Sequence, residues 1–329
     1  MRKISAILLS LAIITGLAAC SSNAKPTQTQ EDDVTIRVGI LRGAEPLSLS
    51  KEDGPLQKRI EAAGAKINKS GSFPAMAPAV EALTAGSIDI TVGSITAGIS
   101  SLVGDTAEFT IFARQESDYK HTGIVVKPES GIRSAADLKG KKIAVNRGGT
   151  GEYLLYKALD KGGLKPSDVE MVYLPPTEAG PAFGNGEVDA WATWGTFTSL
   201  AEEQYGAKLV IPASEIGTQN DIIFVVRTEF LKQHPQLVQE FYEGLREETE
   251  LFAENLDQTV ETIKSSQKVS EHVARPQAEQ AVTPVETVND EIRKRWQGIA
   301  DYVFEKGIIP GAVEVEPYTV DVKSIKADK

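Results

Sequence analysis

The sequence predicts an α/β protein of two lobes, each a mostly parallel sheet covered by helices, with a helical C-terminal region. Three observations carry this. Period-two apolar runs alternate with helical runs, and the alternation occurs twice, on either side of residue 124. The chain has 329 residues, room for about two cores. Its composition, 41% hydrophobic and 25% charged, excludes collagen-like, coiled-coil and disordered classes.

The first element is an address. Arg2 and Lys3 precede an apolar run from Ile4 to Leu17, and Leu17-Ala18-Ala19-Cys20 follows, the order of an export signal over residues 1–19. A small-residue site ending in Cys resembles the bacterial lipobox, which makes Cys20 the lipidated first residue of the mature chain. More than one acyl chain is needed for stable anchoring. Residues 20–33 are polar and without apolar periodicity, so they read as a tether, and the folded body starts at Val34.

In the first lobe, Val34, Ile36, Val38 and Ile40 alternate with Thr35, Arg37 and Gly39, a strand. A loop from Leu41 to Gly54 follows, then a helix over Leu56 to Ala63 and a short strand around Ile67. Phe73-Pro74 leads into a helix over Ala75 to Ala85, closed by Gly86. A strand (Ile88–Val92), a helix (Ile95–Val103) and a strand (Phe109–Ala113) complete it.

The second lobe repeats this order. Strands are expected at Ile124–Val126, Lys142–Val145, Val169–Leu174, Val188–Thr193 and Lys208–Ile211. Ser134 caps a short helix, and longer ones cover Glu152–Lys161, Thr177–Phe183 and Thr196–Tyr205. After a strand at Ile222–Val226 the chain is almost all helical, ending in a helix from about Glu286 to Lys306. The first lobe is thus 34–124 with 226–329, the second 125–225.

Several chemistries are excluded. A single Cys forbids an internal disulfide framework and a thiolate-rich zinc site. With 35 basic and 46 acidic residues the net charge is −11, against a nucleic-acid surface. No nucleotide-binding, nucleophile-elbow or zinc-protease motif is present. His121, His234 and His272 have no metal-ligand spacing, so no metal and no cofactor are expected. Glu202-Glu203 and Glu247-Glu248 read as solvated helix faces.

In such sheets ligands bind beyond the carboxyl ends of the strands. Asn146-Arg147-Gly148-Gly149-Thr150-Gly151 joins a strand to a helix through three glycines, which makes Gly148, Gly149 and Thr150 candidates for a small-anion cradle. A turn needed only for backbone geometry would read the same. Ser94 and Thr96 open another helix, and Phe73 stands beside a third helix start. Trp194 is expected as a pocket wall and Trp191 as core. Arg42, just past the first strand, is a candidate counter-charge. Asn220, ahead of the strand at Ile222, completes the ligand-binding set.

FPAMAPAVEALTAGSIDITVGSITAG (Phe73–Gly98), SAADLKGKKIAVNRGGTGEYLLYKAL (Ser134–Leu159) and MVYLPPTEAGPAFGNGEVDAWATWGTF (Met171–Phe197) resemble the substrate-binding proteins of ABC importers for aliphatic sulfonates, a group that includes taurine and nitrate binders. The resemblance extends from about Val34 to Pro310. It implies a type II periplasmic-binding fold crossed near Gly123–Lys127 and re-crossed near Ile222–Arg227, with an anionic head held at Thr96 and Gly149-Thr150 near Trp194 and Phe73.

It also implies a non-catalytic protein with a small organic anion as ligand, an ABC permease and its ATPase as partners, and the membrane reached through lipid on Cys20. Two positions depart from the family pattern. Trp194-Gly195-Thr196-Phe197 stands where Trp-Asp-Pro-Phe is frequent, and Gly149 or Thr150 where Ser is common. Taurine, nitrate, a thiamine-precursor pyrimidine and an enzyme on the same scaffold therefore stay open. A zwitterionic ligand would want a carboxylate in the cleft, and Glu45, Glu116 and Asp221 are the candidates.

Overall fold

The computed structural model describes residues 34–41, 45–104, 107–117 and 120–325, so the expected leader (1–19), Cys20 with its tether (20–33) and Arg42 lie outside the described residues. The alternation at the start forms β1 (Val34–Leu41), with Ile36 and Val38 buried. There follow α1 (Pro46–Leu49), α2 (Pro55–Ala62), β2 (Ala65–Phe73), α3 (Met76–Thr84), β3 (Ile90–Ser94), α4 (Ile95–Ser101) and β4 (Phe109–Gln115). Next come β5 (Thr122–Val126), β6 (Lys142–Val145), α5 (Thr150–Gly162), β7 (Glu170–Tyr173), α6 (Pro176–Asn185), β8 (Ala190–Trp194), α7 (Gly195–Tyr205) and β9 (Lys208–Pro212). The chain ends with β10 (Ile222–Arg227), α8 (Thr228–Gln233), α9 (Pro235–Glu254), α10 (Leu256–Gln267), α11 (Glu271–Ala281), β11 (Val285–Glu286) and α12 (Asp290–Glu305).

One sheet has the order β11-β4-β10-β3-β1-β2 and the other β7-β6-β8-β5-β9. In the first, β1, β2 and β3 are parallel, and β10 runs antiparallel to both β3 and β4, so β4 shares their direction. In the second, β6, β7 and β8 are parallel and β5 runs antiparallel to β8 and β9. Each sheet is thus a set of four co-directional strands with one reversed strand inserted, plus the short β11 on the first. The inserted strand is in both cases the one on which the chain arrives from the other sheet.

The chain passes from the first sheet to the second over 116–121 and returns over 213–221. Both passages come a few residues before the expected crossings, because 122–126 and 222–227 are paired on both edges as interior strands.

The first sheet is covered on both faces. Phe112, Phe224 and Phe241 meet at ring distances of 6.4 Å under α9, while Trp296 of α12 is fully buried with Ile99 and Phe109 on the other side. Burying one such side chain stabilises by about 1.5–3 kcal/mol.

Three local expectations are corrected. The loop 41–54 contains α1, held by Ser48 Oγ donating to the Glu45 carbonyl at 2.9 Å. The last helix starts at Asp290 rather than Glu286, because Val285 and Glu286 pair with Gln115 and Arg114 as an edge strand. Glu248 is not on a solvated face: it is buried and accepts the Leu56 N–H at 3.2 Å, closing the start of α2. Burial pushes its carboxyl up to about 7, against the pull of that N–H and of Lys69.

Candidate functional site

A cleft of about 590 Å³ is lined from both sheets by the carboxyl ends of strands. Leu41 ends β1, Ser94 ends β3, Tyr173 ends β7 and Trp194 ends β8. Helices begin after these strands and after β2 and β6, so α1, α3, α4, α5, α6 and α7 all start at the cleft. Helix starts of this kind bring first-turn N–H groups and the positive end of a dipole toward a shared volume, but those of α4 are already engaged, Ile95 N–H by the Asp221 carbonyl, Thr96 N–H by Asn220 and Ala97 N–H by Ser94. The Ser94 hydroxyl accepts the Ala97 N–H at 3.3 Å and caps α4. Ala75, Gly149, Pro175 and Trp194, ahead of α3, α5, α6 and α7, cap nothing with their side chains.

The glycine loop before α5 shows how such a start is kept open. Asn146 Oδ1 accepts the Gly151 N–H at 2.8 Å, and Glu152 Oε2 accepts that of Gly148 at 2.7 Å. Between them the N–H groups of Gly149 and Thr150 have no protein acceptor among the described residues. A Cβ on Gly149 would sit 2.0 Å from Asn146 Nδ2, so glycine is what lets the Asn146 side chain fold over the loop.

Asn220 joins the two sides of the cleft. Its Oδ1 accepts from the N–H and the hydroxyl of Thr96, each at 3.1 Å, and its Nδ2 donates to Thr150 Oγ1 at 2.9 Å. Ser100 of α4 adds a bond to the Gly148 carbonyl at 2.5 Å.

Ser94, Gly148, Gly149, Thr150, Trp194 and Asn220 are therefore brought together on the cleft. Thr96 lies behind it, 2% exposed, its donors engaged by Asn220. Phe73 is not in the lining. Its ring lies back over β1, where a Cβ on Gly39 would come within 2.8 Å of Phe73 Cε2. Trp191 packs on Phe183 and Phe197 in the core, whereas Trp194 stands at the cleft, edge-on to Phe197 at 5.5 Å.

Two cleft residues were not singled out from the sequence. Arg147 stacks its guanidinium 3.6 Å above the Tyr173 ring, and the Tyr173 hydroxyl donates to Glu152 Oε1 at 2.7 Å. A cation inside a glycine loop past the end of β6 was the available signal. Gln277 reaches the cleft from α11, and nothing in the sequence placed that helix there.

The three candidate carboxylates separate. Asp221 is fully buried, with Arg114 at 3.2 Å, the Trp296 N–H at 2.8 Å and Arg295 as partners. Burial raises its pKa and those three groups hold it down. Glu116 is exposed and outside the lining. Glu45 lines the cleft, half-buried, and burial pushes its carboxyl above the usual range.

None of the histidines lines the cleft; His272 lies 3.0 Å from Glu202 on the α11–α7 contact. Among the described residues no three His, Cys, Asp or Glu side chains gather as a metal site, and no helix is long and apolar enough to cross a membrane.

Two sheets of this pattern, with helix starts ringing one cleft between them, define the class of two-lobed periplasmic binding proteins. Within that class the chain belongs to the NMT1/THI5-like family, whose model matches residues 74–259. It is 31% identical over 313 residues to the putative aliphatic sulfonates-binding protein of Bacillus subtilis, covering 94% of this chain and 92% of that one. The alkanesulfonate-binding protein SsuA from Xanthomonas axonopodis pv. citri, solved bound to MOPS, superposes with a TM-score of 0.79 at 26% identity, over 87% of this chain and 98% of that one. The desulfurization enzyme DszB superposes with a TM-score of 0.63 at 16% identity, over 87% and 96% of the chains, a likeness of fold alone.

Proposed function

We propose that this chain is the extracytoplasmic solute-binding component of an ABC importer, and that its ligand is a small organic anion of the aliphatic sulfonate class. The observation that carries the reading is the pair of unaccepted N–H groups at Gly149 and Thr150, in a cleft where six helices begin and Arg147 supplies a cation. Backbone amides hold an anion without a protonation step, each helix start contributing about 0.3–1 kcal/mol. The protein binds and releases; it performs no reaction.

Ser94, Gly148, Gly149, Thr150, Trp194 and Asn220 hold the ligand. The two lobes, each built on one sheet and divided at the passages 116–121 and 213–221 rather than at 124 and 225, close on it by rotation about those passages, and the closed form is what a permease and its ATPase receive. Residues 1–19 direct export, and lipid on Cys20 anchors the protein to the cell membrane on its extracytoplasmic or periplasmic face. The net charge of −11 opposes long-range steering of an anion, so capture is local.

Thermal unfolding of residues 21–329 against alkanesulfonates, taurine, nitrate, sulfate and a pyrimidine tests this. A sulfonate at 100 times its Kd adds about 2.7 kcal/mol to the native state, a rise of a few °C. A rise with nitrate or the pyrimidine alone would overturn the ligand class and leave the transport role.

A further inference from the structure

Two contacts between the lobes differ in kind. In one, α5, which joins strands of the second sheet, lies against α12. Tyr153 shares an apolar cluster with Trp296 and Ile299, and Tyr302 packs edge-on to it at 5.7 Å. The Tyr302 hydroxyl and Lys306 reach Asp160 at 2.8 and 2.7 Å. In the other, α7 of the second sheet lies against α11, which follows the return passage. No apolar cluster holds residues of both helices: Ala201 of α7 packs with Phe183 and Trp191, and Ala274 and Ala278 of α11 pack with Phe252 and Val260. The bonds that join these two helices are polar, Glu202 with His272 at 3.0 Å and Glu203 with Ser270.

Next to those bonds the α7–α11 seam is dry and unsatisfied. Thr198 and Ser199 stand one turn before Glu202 and Glu203, on the face that the two glutamates turn to α11. Both hydroxyls are buried with no protein partner among the described residues. A helical Ser or Thr can bond the carbonyl four residues back, as Thr249 does to Leu245 at 2.6 Å, and these two do not. On α11, Gln277 is 4% exposed and its Nε2 donates to the Val273 carbonyl at 3.1 Å. Since a carbonyl can only accept, the amide's orientation is fixed, and Oε1 is left buried with no protein donor. Three groups that water would satisfy are thus shut into the contact that lacks an apolar core.

We infer that the α7–α11 seam is the joint that parts when the lobes open, while α5 stays on α12, and that Thr198, Ser199 and Gln277 form its hydration latch. Water satisfies the three groups in the open form, and closure strips it from them. This rests on the closure of two lobes proposed above and names the contact that moves; it holds whatever the ligand is. An interface without a shared apolar core separates readily, whereas Tyr153 and Tyr302 keep the other contact together. A ligand that needs the closed form binds more weakly in proportion to the fraction of molecules that are closed, so residues outside the cleft set its affinity. Gln277 links the two, since it also lines the cleft.

Pulsed dipolar spectroscopy on the ligand-free mature protein tests the seam. Cys20 is the one cysteine of the chain, so Cys20→Ala leaves a background free of other thiols. Spin labels at Gln204→Cys with Glu271→Cys span α7–α11, and labels at Lys161→Cys with Glu305→Cys span α5–α12; all four positions are exposed. The first pair is expected to show a short and a long population, and the second pair a single one. Thr198→Val with Ser199→Ala removes two of the orphaned hydroxyls at little change in volume. It is expected to raise the short-to-long ratio of the first pair at least about fivefold and to leave the second pair unmoved. A second population at α5–α12 with a single one at α7–α11 overturns the seam and leaves closure standing. An unchanged ratio in the double variant overturns the latch. If neither pair shows a second population, closure falls and the seam with it.

Discussion

Two acidic residues, Asp221 behind the cleft and Glu45 on its wall, look alike in the sequence and are treated oppositely by the fold. Asp221 has two guanidinium groups and an indole N–H around it and no exposure. Glu45 has a serine hydroxyl and an opening to the cleft. The first is an internal ion-pair knot that fixes the return passage between sheets; the Asp221 carbonyl also accepts the Ile95 N–H at 2.9 Å. The second is a half-buried carboxylate whose charged form burial disfavours. A buried charge that holds structure needs its full set of partners, and one beside a cavity can do with fewer.

Removing the saturated acid should have the largest effect. Asp221→Ala leaves Arg114 and Arg295 without their shared counter-charge, and a loss of about 3–5 kcal/mol in denaturant titration is expected. A loss under about 1 kcal/mol would mean that the knot is not what holds the passage. Glu248 lies between the extremes, buried with one N–H partner and a carboxyl raised to about 7 from an ordinary 4.5. The folded chain binds that proton more tightly than the unfolded one, so this group's contribution is complete below the ordinary value and is lost as pH rises through about 7. Glu248→Gln keeps the acceptor for Leu56, so the variant should gain on the parent between those pH values and lead by about 2–3 kcal/mol above them. Parallel stability curves would show that Glu248 ionises freely in the fold. The smallest effect is expected at the wall. Glu45→Gln should leave stability within about 0.5 kcal/mol or raise it, and a loss above about 2 kcal/mol would erase the contrast with Asp221.

The contrast was not legible in the sequence because its partners are remote. Arg114 and Trp296 lie 107 and 75 residues from Asp221, and no local pattern reports that distance. What repeats locally was legible: the alternation in β1, the β–α order in both lobes and the glycine loop that opens α5. The two-residue strand β11 has too few residues to show a period, and only the edge of β4 defines it. Phe73 was misplaced for a related reason, since its position beside a helix start said nothing of the bare backbone at Gly39 over which its ring lies. Trp194 and Trp191 could be told apart because strand ends and strand interiors differ in the sequence itself.

The Asn220 bridge also gives the cleft a sense of direction. The Thr96 N–H can only donate, so it forces the oxygen of the Asn220 amide toward α4 and the NH₂ toward α5. Thr150 Oγ1 must then receive, so its own proton is turned away from Asn220. One main-chain amide thus sets the hydrogen-bond polarity of a hydroxyl two links away, on the far side of the cleft from it.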